Sequence, residues 1–499
     1  MEGVEKMKEN TATVTQVPEA SKVNILGVAL CTSAGNLYNI LFAFASYLAT
    51  GSWGIAVATA GALIAGMRIF DAITDPIYTW FLPRIRFGKI GIAQPQIVLG
   101  WLLETVSIAC LFIFLPASQN RALFILFYGI HVIGYTIIVK ASTLMKLMVT
   151  TNPKKRPLIA RYNQSIIMIV TMVLSLLRAN YLVPKYHGLK GGFFTELSAW
   201  ILIWCTISVF VGILLSRKFD NRETFERNYH GAVNFKLKDI WNLIAHNPAF
   251  ITEIISQATD KIASATAGNS AVTTMLFGII IANYAFSGTL SIYTTIITLV
   301  MIWMITGRGV KKGNKESYLT YCWLCIGVAA VTFVFMMLID PTQVSVNPII
   351  TIVFVALYCI MSAFKSTTGA AVNSLNLDIM DYEFYLHGKY LGPLVSSVGS
   401  LLSKTVDSFS SIIIAAAVGS LGYVDGMPQP GDPGSTKLFA ITMFLWLGMP
   451  VLGYVASIIA MKWYPCTKEK MVEVQAHNNE LRAQNAAKYE AEQAAKSKA

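Results

Sequence analysis

Two carboxylates, a guanidinium and a hydroxyl stand close together in the run Arg68-Ile-Phe-Asp-Ala-Ile-Thr-Asp-Pro76, inside an apolar stretch from about Gly54 to Leu82. As a helix that stretch is about 42 Å long, against a bilayer hydrocarbon core of about 30 Å. Spacings of three and four put Arg68, Asp71 and Asp75 on one stripe, with Thr74 beside them. Ionised groups inside a membrane span are costly, so they normally face a bundle interior or a wet cavity and mark an ion or substrate path. The rival reading is an Arg–Asp pair that only locks two helices together.

The chain that must position this stripe has 499 residues, 55% hydrophobic and 13% charged, with a mean hydropathy of +0.55. Soluble domains carry about 25% charged residues, so the composition is that of a polytopic membrane protein. Twelve hydrophobic stretches lie at about 24–49, 54–82, 95–116, 122–149, 162–184, 196–216, 248–282, 287–306, 318–339, 348–371, 391–419 and 436–463. The expected fold class is an all-α polytopic membrane protein with twelve transmembrane helices. Its expected parts are an N-terminal segment 1–23, a six-helix bundle 24–216, a polar linker 217–247, a second six-helix bundle 248–463 and a tail 464–499.

The first 22 residues are polar, and Glu2, Glu5, Glu9 and Glu19 argue against a secretory or organellar leader. The net charge of +12 suggests nucleic acid at first sight, but its distribution does not. Alternate loops hold Arg84, Arg86 and Lys89; Lys154, Lys155, Arg156 and Arg161; Arg217, Lys218, Arg222, Arg227, Lys236 and Lys238; and Arg308, Lys311, Lys312 and Lys315. The opposite loops hold only Arg121, Lys185, Lys190 and Lys437. That asymmetry predicts both termini in the cytoplasm. The basicity is a topology signal, and no nucleic-acid partner is expected. The tail from Cys466 reads as solvated and partly helical, without an apolar heptad.

Further polar residues sit within the spans. The first carries Gly35, Asn36, Tyr38 and Asn39, which either let helices approach closely or line a cavity. The fourth carries His131, Tyr135, Thr136 and Lys140; Lys140 is mid-span and needs an anion or a wet cavity, with Asp71, Asp75 or a substrate as that anion. His131 alone reads more readily as structural than as a proton relay. Arg178, near a helix end, reads as snorkelling. In the seventh span Asp260 and Lys261 are adjacent and do not face each other, and Gly268-Asn-Ser270 makes the helix locally soft. Lys365 lies near the inner end of the tenth. The segment Asn376–Glu383 reads as an acidic loop, and Lys404 and Asp407, one turn apart in the eleventh span, can pair on one face.

The seven cysteines are scattered through the spans, and Cys322-x-x-Cys325 has no second pair to complete a zinc site. No phosphate-binding loop, His-Glu-x-x-His or Gly-x-Ser-x-Gly is present. The chain does not read as an enzyme, no cofactor is expected, and any energy coupling must come from an ion gradient or the solute's own.

Arg68-Ile-Phe-Asp-Ala-Ile-Thr-Asp-Pro76 resembles the helix-two signature of the glycoside–pentoside–hexuronide:cation symporters, the melibiose permease family of the major facilitator superfamily. A second match is Asp378-Ile-Met-Asp-Tyr-Glu383, then Gly388, then Lys404. The layout extends the resemblance over about residues 24–465. It implies two six-helix bundles around a cavity that opens alternately to each side. It also implies a cation site (Na+ or H+) at Asp71 and Asp75, with Thr74 and Thr136 as further oxygen ligands and Lys404 linking it to the second bundle. Hard cations are held by clustered oxygens, and a carboxylate in a low-dielectric site can instead carry a proton. The sugar-gripping acids of the family's first and fourth helices correspond here to Gly35 or Asn36 and to Val139 followed by Lys140. Their loss argues against galactoside recognition, and a lysine there suits a carboxylate-bearing substrate such as a hexuronide. Thr79 and Pro83 replace the family's glycine and aspartate after helix two.

The expected function is cation-coupled symport of a sugar, glycoside or hexuronide across the cytoplasmic membrane. Arg68, Asn36, Asn39, Tyr135, Lys140, Lys404 and Asp407 are the expected substrate and coupling residues. A small sugar-like solute and the lipid bilayer are the expected partners, with no obligate protein. The rivals are a facilitator of a non-sugar amphiphile and a non-transporting sensor signalling through its tail. A transporter is expected to keep uptake without residues 466–499.

Overall fold

The structure, a computed structural model, describes residues 20–81, 91–149, 156–220, 237–305, 313–388 and 392–481. Residues 1–19, the tail beyond 481 and the loop cations Arg84, Arg86, Lys89, Lys154, Lys155, Arg222, Arg227, Lys236, Arg308, Lys311 and Lys312 lie outside the described residues.

Helices account for nearly all of what is described. Helix α1 spans Lys22–Phe42 and resumes as Ala45–Gly51 after a break at Ala43 and Phe44. It is followed by α2 (Val57–Phe81), α3 (Ala93–Phe114, its last turn widened), α4 (Arg121–Val149), α5 (Arg156–Leu177, running on to Tyr186) and α6 (Gly192–Ser216). A short amphipathic helix, α7 (Leu237–His246), precedes α8 (Pro248–Ala267). After that come α9 (Ser270–Ile280), α10 (Tyr284–Ile305), α11 (Asn314–Leu338), α12 (Pro348–His387), α13 (Gly392–Ser420) and α14 (Thr436–Trp463). Eleven helices among the described residues are long and apolar enough to cross a membrane.

The seventh apolar stretch is the exception to the twelve. It is divided into α8 and α9, because Gly268 ends the first and the Asn269 side chain caps the second through the Ala271 N–H. The break of α1 faces it: Ser270 Oγ donates to the Ala43 carbonyl at 2.8 Å.

Two segments differ from their sequence readings. Asn376–Glu383 is not a loop but the last part of α12, which is 40 residues long, or about 60 Å. No proline follows Pro348 in that run, and the helix stops only where Gly388 turns to φ +65°. The start of the tail is helical and exposed on most of its surface, but one edge of it is buried. Residues 468–481 form a helix, α15, whose Met471 and Val474 are buried with Cys466 against α12. Asn478 Nδ2 donates to the Asp381 carbonyl, and Tyr385 donates to Glu473 at 2.9 Å. Beside them Lys470 holds the Glu473 carboxyl below its ordinary range.

Helices α1 to α6 pack chiefly on one another, as do α8 and α10 to α14, and the two groups meet along α2–α13 and α5–α10. The α2–α13 seam is close because Gly61 has no side chain; a Cβ there would lie 2.5 Å from that of Ala415. At the end of this seam the segment 421–434 ties the groups together. It accepts from Tyr47 Oη at the Pro428 carbonyl (2.7 Å), from the Val57 N–H at the Val424 carbonyl (2.9 Å) and from the Leu189 N–H at Gln429 Oε1 (2.8 Å). At the opposite end Asp220 caps α3, accepting from the N–H groups of Ile92, Ala93 and Gln94 at 2.7–3.1 Å.

Burial of Val474, Met471 and Cys466 makes the tail helix part of the fold, each side chain contributing about 1.5–3 kcal/mol when fully buried. A chain ending at residue 465 is therefore expected to melt several degrees below one ending at 481 in detergent. Equal melting temperatures would show that α15 adds nothing.

Candidate functional site

Charged side chains from three helices converge midway along the α2–α13 seam. Asp71 and Asp75 come from α2, Lys404 from α13, and Lys140 and Thr136 from α4. Lys404 Nζ lies 2.8 Å from Asp71 Oδ2 and 2.7 Å from Asp75 Oδ2, so one ammonium bridges both carboxylates. Lys140 Nζ approaches Asp75 Oδ2 at 3.2 Å. Thr136 Oγ1 is 3.3 Å from Asp71 Oδ1 and 3.5 Å from Asp75 Oδ1, and Ser400 Oγ donates to Asp75 Oδ2 at 3.4 Å. Two carboxylates thus face two ammonium groups and two hydroxyls, a set that is neutral overall. Asp75 is buried, which makes that neutrality necessary.

One turn further along α2, Arg68 Nη1 lies 2.5 Å from Asp407 Oδ2 on α13. Together with the lysine bridge this makes the seam an ionic as well as a steric contact. Asp71, Asp407, Arg68 and Lys404 open onto a cavity of about 310 Å³, which α1 lines with Asn39 and Phe42, α4 with Tyr128, His131 and Tyr135, and α8 with Lys261. That volume falls at the lower end for small-molecule sites. Lys404 also stands over the Tyr135 ring, 5.9 Å from its centre.

In this wall His131 Nδ1 sits 2.8 Å from Glu104 Oε2, and its ring stacks on Phe42 at 3.4 Å between centres. Glu104 is wholly buried. An unpaired buried carboxylate would cost several kcal/mol, and His131 is the partner that meets this one.

The structure brings together Arg68, Asp71, Asp75, Thr136, Tyr135, Lys140, Lys404 and Asp407. Thr74 is turned elsewhere, its hydroxyl donating to the Asp71 carbonyl at 3.1 Å. Asn36 donates to the Thr32 carbonyl and lines a neighbouring cavity that it shares with Asn39 and Arg178. Arg178 does not simply snorkel, because its guanidinium lies 5.0 Å over the Phe44 ring. Lys404 and Asp407 do not pair with each other; each reaches across to α2, where an opposite charge is already presented. Lys140 is not free to grip a substrate carboxylate while it holds Asp75. The seven cysteines are free thiols, and no group of three His, Cys, Asp or Glu side chains suited to a metal occurs among the described residues.

Sequence reasoning missed Glu104, Tyr128 and the outlook of Lys261. A lone acid inside the third apolar stretch was the available signal for Glu104. For Lys261 the signal was its adjacency to Asp260, which turns into the second helix group to accept from Tyr318 and Ser457. The lysine next to it therefore faces the cavity.

Among known proteins, the family model described as MFS/sugar transport protein matches residues 24–468. Solved structures with the same fold include a D-xylose–proton symporter, at 12% identity and TM-score 0.58, with 90% of this chain and 97% of that one covered. A proton-dependent oligopeptide transporter aligns at 12% identity and TM-score 0.59, covering 91% and 100%. A nucleoside transporter aligns at 11% and 0.53, covering 89% and 99%. At such identities the likeness shows the fold alone.

The Arg68–Asp407 pair gives a direct test of the seam. Arg68→Asp or Asp407→Arg alone places like charges together and is expected to lower solute uptake about tenfold or more, whereas the reciprocal double exchange recovers most of it. A double exchange as defective as the worse single would show that the pair does not act as a unit.

Proposed function

The chain belongs to the MFS/sugar transport protein family, and from that premise we propose that it is a secondary symporter moving a sugar-like solute together with a cation, Na+ or H+, by alternating access. The observation that carries this reading is the Lys404 ammonium lodged between Asp71 and Asp75. Lysine is a tethered cation there. A mobile cation entering the same oxygens frees Lys404 from α2 and loosens the seam between the two helix groups. Asp71 and Asp75 are then the cation site, with Thr136 offering a hydroxyl oxygen.

The solute binds in the adjoining cavity, where Tyr128, Tyr135 and Asn39 offer ring faces and hydrogen-bonding groups. Aromatic and polar groups side by side favour a sugar over a lipid-like amphiphile. By linkage, whatever factor the cation adds to solute affinity the solute adds to cation affinity. The membrane is the cytoplasmic membrane, with both termini inside. The two units are the six-helix bundles 24–216 and 248–463.

Asp75→Cys is expected to abolish gradient-driven accumulation in vesicles while leaving downhill exchange measurable. Uphill uptake by that variant at the wild-type level would overturn the assignment.

A further inference from the structure

Charge in the cavity does not balance on the α8 side. Arg68 is matched by Asp407, and Lys404 and Lys140 are matched by Asp71 and Asp75. Glu104 is met by His131 at 2.8 Å. Lys261 remains. It lines the cavity and is exposed there, and it is the one cavity lysine with no carboxylate within ion-pair distance among the described residues. Asp407, which lines the same cavity, is already paired with Arg68. With Lys404 set against Asp71 and Asp75, the wall made by α2, α8 and α13 leaves two cations, Arg68 and Lys261, beside one carboxylate, Asp407.

We infer that Lys261, beside Arg68, anchors a single carboxylate on the transported solute, so that this protein carries an acidic sugar in preference to its neutral counterpart. This rests on the symport reading above and narrows its substrate class. One unmatched positive charge in a cavity walled by protein is best met by one negative charge. Lys140 cannot take that part while it is spent on Asp75. The cavity, about 310 Å³, admits one small ring, and Asn39, Tyr128 and Tyr135 stand on other walls to meet its hydroxyls. An arriving cation adds a further positive charge to the same cavity. It raises the affinity for an anion and not for a neutral sugar, so coupling and charge selectivity have one electrostatic origin.

The test uses full-length protein in lipid vesicles, with imposed sodium and proton gradients and two labelled probes. These are methyl β-D-glucuronide and methyl β-D-glucoside, which differ only in carboxylate against hydroxymethyl. The wild type is expected to favour the glucuronide at least tenfold in kcat/KM. Lys261→Met is expected to collapse that ratio toward one through the glucuronide KM, and Lys261→Arg to restore it to within about threefold, which separates charge from folding. A ratio unchanged in Lys261→Met, or a wild type that accumulates the glucoside and not the glucuronide, overturns the inference and leaves symport standing. Preference for a sugar phosphate over both probes also overturns it. Gradient-driven accumulation of no sugar at all overturns symport and the inference together.

Discussion

A charged group at mid-membrane must be neutralised where it stands, because water is not there to do it. In this protein the neutralisation of Asp71 and Asp75 comes from Lys404 and Lys140, at 2.7–3.2 Å. At an effective dielectric of about 20, opposite charges at such distances attract by about 4 kcal/mol or more. Asp75 is buried and would be costly to leave without a partner. The rest of the arrangement follows from that constraint: the position of α13 against α2, the Thr136 and Lys140 side of α4 set toward the aspartates, and the cavity that remains beside them.

The same ionic contact has a mechanical side. Helices α2 and α13 belong to the two helix groups, and Gly61 lets them touch at backbone distance. Arg68–Asp407 and the lysine bridge fasten the middle of that seam, and the hydrogen bonds of segment 421–434 fasten one end. Opening that end requires the breaks in α1 and α8–α9 to part, since Ser270 Oγ holds the Ala43 carbonyl. Movement of one group against the other is therefore set against these polar contacts as well as the packing of the seam.

How much of this was legible in the sequence depends on the range over which each feature is encoded. The stripe of Arg68, Asp71 and Asp75 was legible because helical spacing alone places those residues together. The apolar stretches were legible because bilayer thickness fixes their length. The partners were not, since Lys404 lies 329 positions from Asp75 and no local rule joins them. Spacing even pointed the wrong way for Lys404 and Asp407, which share a face but are each drawn to a stronger partner on α2. The acidic run at Asn376–Glu383 read as a loop from its polarity, yet nothing before Gly388 breaks the helix. The tail looked solvated because Met471 and Val474 are too few to make a heptad, although one buried edge suffices against α12.

The most direct test of the central electrostatic claim is the cation concentration that half-activates uptake, sodium and proton measured separately, in Lys140→Met against the wild type. If the Lys140 ammonium neutralises Asp75, its removal leaves one excess negative charge, and the coupling cation should bind at about tenfold lower concentration or less. An unchanged or higher half-activating concentration for both ions would contradict competition between lysine and cation for the same carboxylates.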